Sequence, residues 1–222
     1  DYKVTGVQTC ALPIYEIAQI CEKVGANIND VIYGMGIDPR IGSNYMQPGP
    51  GFGGPCLEKD LMALVELGNF YDLESTFMKA ILKRNERQVE LILDKITSEI
   101  KQAGSLITVL GLSFKANTDD IRNSASIKLI KLLLKKGYKV NSYDPKAKYS
   151  LKNENYLQFD NLYSSLNKSK CAVIMTEWDD FKNLNFIKIS KLMTSNIILD
   201  MRNIINTGNK NLSDFKYYSL GS

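Results

Sequence analysis

From Gly104 onward the chain alternates short apolar runs with amphipathic segments, and that alternation restricts it to very few folds. "SLITVLGL" (105–112) predicts a buried strand. "NSASIKLIKLLLKKG" (123–137) predicts an amphipathic helix with a glycine stop, and "YKVNSYDP" (138–145) a strand ending in a turn. A helix near "NLYSSLNKS" (161–169), a strand at "CAVIMT" (171–176), a helical segment over 179–192 and a strand at "NIILDM" (196–201) continue the series. Such alternation argues for a parallel sheet with helices on its faces. Ahead of Gly104 the period is helical. "YEIAQICEKVG" (15–25) sets Ile17, Ile20, Cys21 and Val24 on one face, and a second short helix follows, capped by Asn29 or Asp30. A helix resumes from Leu57 to Gly68. Residues 71–102 then read as one long helix of about nine turns, with Phe77, Ile81, Val89, Ile92, Leu93 and Ile96 at helical spacing. The expected fold is α/β, an all-helical module over 15–103 followed by a parallel-sheet domain over 104–222. The long helix carries more apolar positions than one small module covers, which predicts a homodimer built on the helical module.

The first fourteen residues, "DYKVTGVQTCALPI", lack this periodicity and look like translated sequencing-adapter read-through. They are set aside as non-native, and the chain is expected to begin within a longer protein. Composition excludes several function classes. The net charge is only +4 and the basic residues are scattered, so no nucleic-acid partner is expected. No apolar run reaches the length of a bilayer span and no secretory pattern opens the chain, so a cytoplasmic protein without a membrane partner is expected. Cys10, Cys21, Cys56 and Cys171 form no CxxC pair, which predicts free thiols and no metal site. There is no histidine, which removes Ser-His-Asp, Cys-His and His-ligated metal chemistry from this segment.

Two stretches carry candidate chemistry. In "GLSFKANTDDIRNS" (111–124), after the first strand of the sheet, only Gly111 survives of the GxGxxG that a dinucleotide fold needs. Lys115 and Arg122 stand there instead. Parallel sheets bind ligands at the carboxyl ends of their strands, so this loop is either a charged-ligand site or an ordinary solvated loop. "PGPGFGGPCLEKDL" (48–61) places Cys56 between a glycine-rich loop and a helix. Unpaired N–H groups, the helix dipole and Lys59 favour the nucleophilic thiolate form, the glycines allow close approach of a substrate, and Asp60 lies one turn on. Covalent catalysis stands against the simpler reading of a small buried cysteine after a turn.

"GIDPRIGSNYMQPGPGFGGPCLEKDLMAL", "LGLSFKANTDDIRNSASIKLI", "YDPKA" and "DMRNI" together resemble the UDP-glucose/GDP-mannose dehydrogenase family, in order and spacing, from about Tyr15 to about residue 204. The resemblance implies a central helical dimerisation domain and a C-terminal Rossmann-like domain without the dinucleotide fingerprint. It also implies that the family's N-terminal NAD domain is missing here. By resemblance, the family oxidises a sugar C6 alcohol to a carboxylate with two NAD. Cys56 attacks the intermediate aldehyde, hydride loss gives a thioester, and water hydrolyses it with help from Asp60. Lys59 and Arg122 match positions near the cofactor. Tyr45, Met46, Gln47, Pro48, Gly49 and Gly53 match the loop lining the sugar nucleotide. Lys115 matches a substrate contact, Arg202 a further arginine near the site, and Arg40 one that reaches the partner subunit's pocket. The family's lysine and asparagine on the preceding helix have no counterpart, and Tyr15 stands where asparagine is common, so the chain alone is not expected to turn over. Pro55, where the acetamido-sugar branch often has histidine, favours UDP-glucose, with GDP-mannose or another nucleotide hexose as alternative. Readings from other classes are a non-catalytic dimerising module that binds a sugar nucleotide, and a Cys56-dependent acyl transferase, against which the missing histidine counts.

Overall fold

The structure, a computed structural model, describes residues 13–43 and 46–222. The adapter-like residues 1–12, with Cys10 among them, and Tyr45 lie outside the described residues. Helix α1 (Pro13–Val24) opens with Pro13, a residue whose fixed φ suits a first helical position, and buries Ile14 at 1% exposure. Helix α1 thus begins inside the stretch set aside above, with Pro13 and Ile14 in its first turn. Gly25 ends it at φ +72°. Helix α2 (Ile28–Gly36) is capped by Asn27, whose side chain accepts from the Asn29 N–H at 2.9 Å, and not by Asn29 or Asp30. Helix α3 spans Leu57–Phe70 and α4 spans Thr76–Glu99.

The long helix is shorter than its pattern. Residues 71–75 form a turn with Asp72 at φ +53°, and Phe77 is exposed. The 24 residues of α4 nevertheless extend roughly 36 Å. Its first half packs Ile81 with Ile14, Ile28, Met46 and Leu61 in a helical core. The second half sends Val89, Ile92, Leu93 and Ile96 into the core of the sheet. One rigid rod thus belongs to two cores, and truncating a fully buried residue such as Ile96 to alanine would cost about 2–5 kcal/mol. These apolar positions are covered within the chain, which corrects the reason given for dimerisation. The surplus apolar surface lies instead on α1–α3 and the turns around them, at Val24, Tyr33, Ile37, Phe70, Tyr71 and Leu73.

Beyond Gly104 come β1 (Leu106–Leu110), α5 (Ala125–Lys135), β2 (Lys139–Tyr143), β3 (Tyr156–Phe159), α6 (Leu162–Ser165), β4 (Cys171–Ile174), α7 (Asp179–Lys182), α8 (Phe186–Leu192), β5 (Ile197–Asp200), a 3-10 turn (Lys210–Asp214) and β6 (Lys216–Ser219). All strand pairings are parallel, in the order β3-β2-β1-β4-β5-β6. Register pairs Val109 with Ser142 on one side and Val173 on the other. α4 and α5 cover one face of the sheet, while α6, α7 and α8 cover the other through Leu162, Phe181, Phe186 and Ile189. Edge strands β3 and β6 escape the sequence pattern because each is half exposed and lacks an apolar run. The chain leaves β1 toward β2 and later crosses to β4, so strand order reverses between β1 and β4. Open parallel sheets place their ligand crevice at such a reversal, at the strands' carboxyl ends. No described helix is long and apolar enough to cross a membrane.

Candidate active site

Three segments converge at that crevice: the glycine-rich loop 46–56, the β1–α5 loop 111–124, and Arg202 just beyond β5. The glycine-rich loop is held from below by α4. Asn85 accepts from the Phe52 N–H at 2.7 Å and donates to the Phe52 carbonyl at 3.0 Å, while Gln88 donates to the Gly49 carbonyl at 2.8 Å. From the side it docks on the β1–α5 loop. Gly54 N–H donates to the Arg122 carbonyl at 2.9 Å, and a Cβ on Gly53 would stand 2.6 Å from the Asn123 carbonyl oxygen. A Cβ on Gly54, at φ +86°, would meet the Phe114 ring at 2.8 Å, and one on Gly51, at φ +111°, the Asn85 Oδ1 at 2.8 Å. The missing side chains of Gly51, Gly53 and Gly54 thus face protein. This corrects the expectation that the glycines serve substrate approach, since these three let the loop seat on its supports.

At the end of this loop Cys56 is the exposed residue preceding α3, its carbonyl accepting from the Asp60 N–H at 2.8 Å. The other described cysteines, Cys21 and Cys171, are buried, and burial pushes the Cys171 thiol far up. Lys59 and Asp60 are exposed on the first turn of α3. Glu58 faces Lys128 of α5 at 3.6 Å, a second link between the Cys56 segment and the sheet domain. Gly54 ties the Cys56 segment to the Arg122 backbone. The dominant influence on Arg122 is Asp120, whose hydrogen bonds raise the guanidinium's pKa while Arg122 in turn holds the Asp120 carboxyl below its usual range. Lys115 is exposed, its Nζ 5.6 Å from the Phe114 ring centre.

Arg202 is tied into the crevice floor. Its Nε donates to the Met175 carbonyl at 3.0 Å, its Nη2 to the Phe114 carbonyl at 3.2 Å, and Glu177 pairs with it at 3.1 Å. Its Nη1 lies 3.2 Å from where a Cβ on Gly49 would be, so Arg202, Gly49 and the Lys115 loop share one wall. Tyr15 is buried nearby. Burial raises its hydroxyl's pKa, and Arg202 and Arg84 pull it back down.

Other expected positions fall elsewhere. The Met46 side chain is 1% exposed inside the helical core, so it packs the loop's root and cannot line a ligand; the substrate-lining role for its side chain is corrected. Pro48 and Gly49 are buried and Gln47 is exposed. Arg40 is brought to none of these groups. It forks onto Asp38, with Nη2 at 2.6 Å, repeating the Asp-x-Arg geometry of Asp120 and Arg122. A cavity of about 190 Å³ between α1 and α4, lined by Tyr15, Glu22, Gln88 and Lys95, touches neither Cys56 nor Lys115 and is not this site.

Sequence reasoning missed Asn85, Gln88 and Asp144. Asp144, 3% exposed at the end of β2, takes six hydrogen bonds. Oδ2 accepts from Leu112 N–H, Ser113 N–H, the Ser113 hydroxyl and the Trp178 indole; Oδ1 accepts from Lys146 and Ala147 N–H. In a dinucleotide-binding sheet the acidic group near this position takes the ribose hydroxyls. Here it is spent on holding the β1–α5 loop. Gly111, at φ +92°, would press a Cβ to 2.5 Å from Thr176 Cβ, so the turn after β1 needs glycine for close packing. Of the dinucleotide fingerprint the loop keeps only this first glycine.

Residues 11–87 match the central domain, and residues 108–207 the UDP binding domain, of one family. The chain belongs to the UDP-glucose/GDP-mannose dehydrogenase family. It is 40% identical over 215 residues to the UDP-glucose 6-dehydrogenase of Rickettsia conorii, covering 94% of this chain and 50% of that protein. The solved UDP-glucose dehydrogenase of the hyperthermophilic archaeon Pyrobaculum islandicum superposes with a TM-score of 0.84 at 26% identity, covering 97% of this chain and 49% of that one. The UDP-D-ManNAc dehydrogenase of Pyrococcus horikoshii superposes with a TM-score of 0.79 at 27% identity, covering 98% of this chain and 49% of that one. The chain thus spans about half the length of the family members it matches. The junction of the two matched domains, where the exposed Cys56 segment docks on the β1–α5 loop, is the candidate functional site.

Proposed function

We propose that this chain carries the nucleophile and the nucleotide-sugar site of an NAD-dependent UDP-glucose 6-dehydrogenase that works as a homodimer. The observation that supports the reading best is the docking of the exposed Cys56 segment directly on the β1–α5 loop. A sugar nucleotide whose phosphates meet Lys115 would have its sugar within reach of that thiol. Cys56 Sγ adds to the C6 aldehyde, the S–C bond forms and the carbonyl oxygen becomes the hydroxyl of a thiohemiacetal. Asp60, one turn along α3, is placed to orient the water that later cleaves the thioester. Arg202, with its guanidinium against Gly49, lines the same pocket. NAD is the oxidant this reading calls for, and the sheet here is not its seat. Lys59 and Arg122 are exposed cations at the rim and make no phosphate cradle. On its own the chain is therefore expected to bind the nucleotide part without turnover.

Calorimetric titration tests the assignment. UDP and UDP-glucose are expected to bind and NAD to bind poorly. Lys115→Ala is expected to weaken UDP about tenfold, the loss of one charge-assisted hydrogen bond to a phosphate. Tight NAD binding without UDP binding would overturn it, and equal affinity for GDP-mannose would move the substrate to the wider nucleotide-hexose class.

A further inference from the structure

Two amides sit where a helix ordinarily buries hydrocarbon. Asn85 and Gln88 are 5% and 4% exposed on α4, on the face that carries Ile81, Val89 and Ile92. A buried amide is costly unless its hydrogen bonds are met, and both are met by the backbone of one loop. Asn85 closes a two-bond fork on Phe52, as a neighbouring strand would, while Gln88 takes the Gly49 carbonyl. The fork needs Gly51, whose missing Cβ would stand 2.8 Å from Asn85 Oδ1. Between Phe52 and Cys56 the chain has only Gly53, Gly54 and Pro55, and the Gly54 N–H is fixed to the Arg122 carbonyl. The thiol therefore hangs from two anchors, one on α4 and one on the sheet domain.

We propose that Asn85 is a positioning residue that fixes the backbone carrying Cys56, with Gln88 fixing the Arg202 end of the same loop. The proposal rests on the reading of Cys56 as the nucleophile. It makes α4, the rod shared by both cores, the frame against which the thiol is held. A loop held from α4 by two buried amides and from the sheet domain through Gly54 keeps its reacting atom in place without ligand, the condition for a near-attack geometry.

Two measurements on the full chain need no nucleotide: amide hydrogen exchange at Phe52, and alkylation of Cys56 by iodoacetamide read by peptide mass. In Asn85→Ala the Phe52 amide is expected to exchange roughly tenfold faster. Cys56 alkylation is expected to change severalfold as the thiol leaves its fixed place at the start of α3. Val89→Ala removes buried volume one turn along α4 without touching the loop. It is expected to lower the melting temperature and leave both rates unchanged. Equal changes in the two variants would overturn the proposal, since general loosening would then account for both, and so would wild-type rates in Asn85→Ala. Should Asn85→Ala not fold, Asn85→Ser takes its place, because its hydroxyl cannot reach both Phe52 groups, and the same rates decide. UDP-glucose affinity in these variants separates the two readings. Loss of binding in the unsubstituted chain would sink the functional assignment while leaving the amide and thiol result to stand or fall alone.

Discussion

Replacing Asp144 by asparagine is the most informative perturbation of the sheet domain. The side chain keeps its shape and exchanges one oxygen for an NH₂ that can only donate. Neither placement is satisfied. At Oδ1 the NH₂ faces the Lys146 and Ala147 N–H groups, which now bond at 2.9 and 2.7 Å. At Oδ2 it faces the Leu112 and Ser113 N–H groups, at 2.7 and 3.0 Å, and the Trp178 indole N–H, at 3.2 Å. At least two N–H groups lose their acceptor, at about 1–3 kcal/mol each, so the expected cost is about 2–6 kcal/mol. For a chain of this size that lowers the melting temperature by roughly 5–20 °C. Trp178 is the only tryptophan and donates to the altered carboxylate, so its fluorescence reports both the local change and global unfolding. Leu112 and Ser113 lead into Lys115, so UDP affinity is expected to fall in the same variant. A melting temperature within about 2 °C of the parent, with UDP affinity intact, would refute the claim that this carboxylate holds the loop.

Gly54→Ala is expected to cost about 2–4 kcal/mol, from the positive φ together with the Phe114 contact, and trimming Phe114 to leucine should recover part of it in urea unfolding. Glu99 accepts from Lys216 Nζ at 2.6 Å, which with the Tyr218 hydroxyl holds its carboxyl below the usual range. A depressed carboxylate stabilises above its unfolded pKa of about 4.3, and the gain is lost as pH falls through the folded value. Lys216, raised to about 12, contributes fully below its unfolded value of about 10.4, and that gain is lost as pH climbs through the folded value. The stability gap between the parent and Lys216→Ala should therefore be widest between about pH 5 and 10 and close in acid; a gap unchanged at pH 3 would count against the pair. Light scattering at micromolar concentration should give a dimer, and Phe70→Glu with Tyr33→Glu on the exposed apolar surface should give a monomer that keeps its fold.

What the sequence reveals about this molecule depends on whether a residue's partner is near in the chain or far. β1, β4 and β5 are apolar runs buried on both faces, so they read directly; β3 and β6 lie at the edges, where half-exposed strands such as "YLQF" and "KYYS" carry no such run. Cys56 and Lys115 declare themselves by local context, a glycine-rich loop meeting a helix and a polar loop after a strand. Asn85, Gln88 and Asp144 do not, because the groups they satisfy stand 33, 39 and 32 residues away. Asn85 and Gln88 did leave a trace, two amides spaced as i and i+3 on a face otherwise made of aliphatic residues. A polar residue interrupting an apolar stripe implies an unseen backbone partner, since an unmet buried amide would be too costly to keep. Arg40 and Arg122 show the converse, a partner that is near in the chain. Each follows an aspartate by two residues, "DPR" and "DIR", and that spacing alone predicts the local fork that now occupies the guanidinium. A ligand that recruits either arginine must therefore compete with a carboxylate already in place, which makes Asp120 as much a determinant of what Arg122 can bind as Arg122 itself.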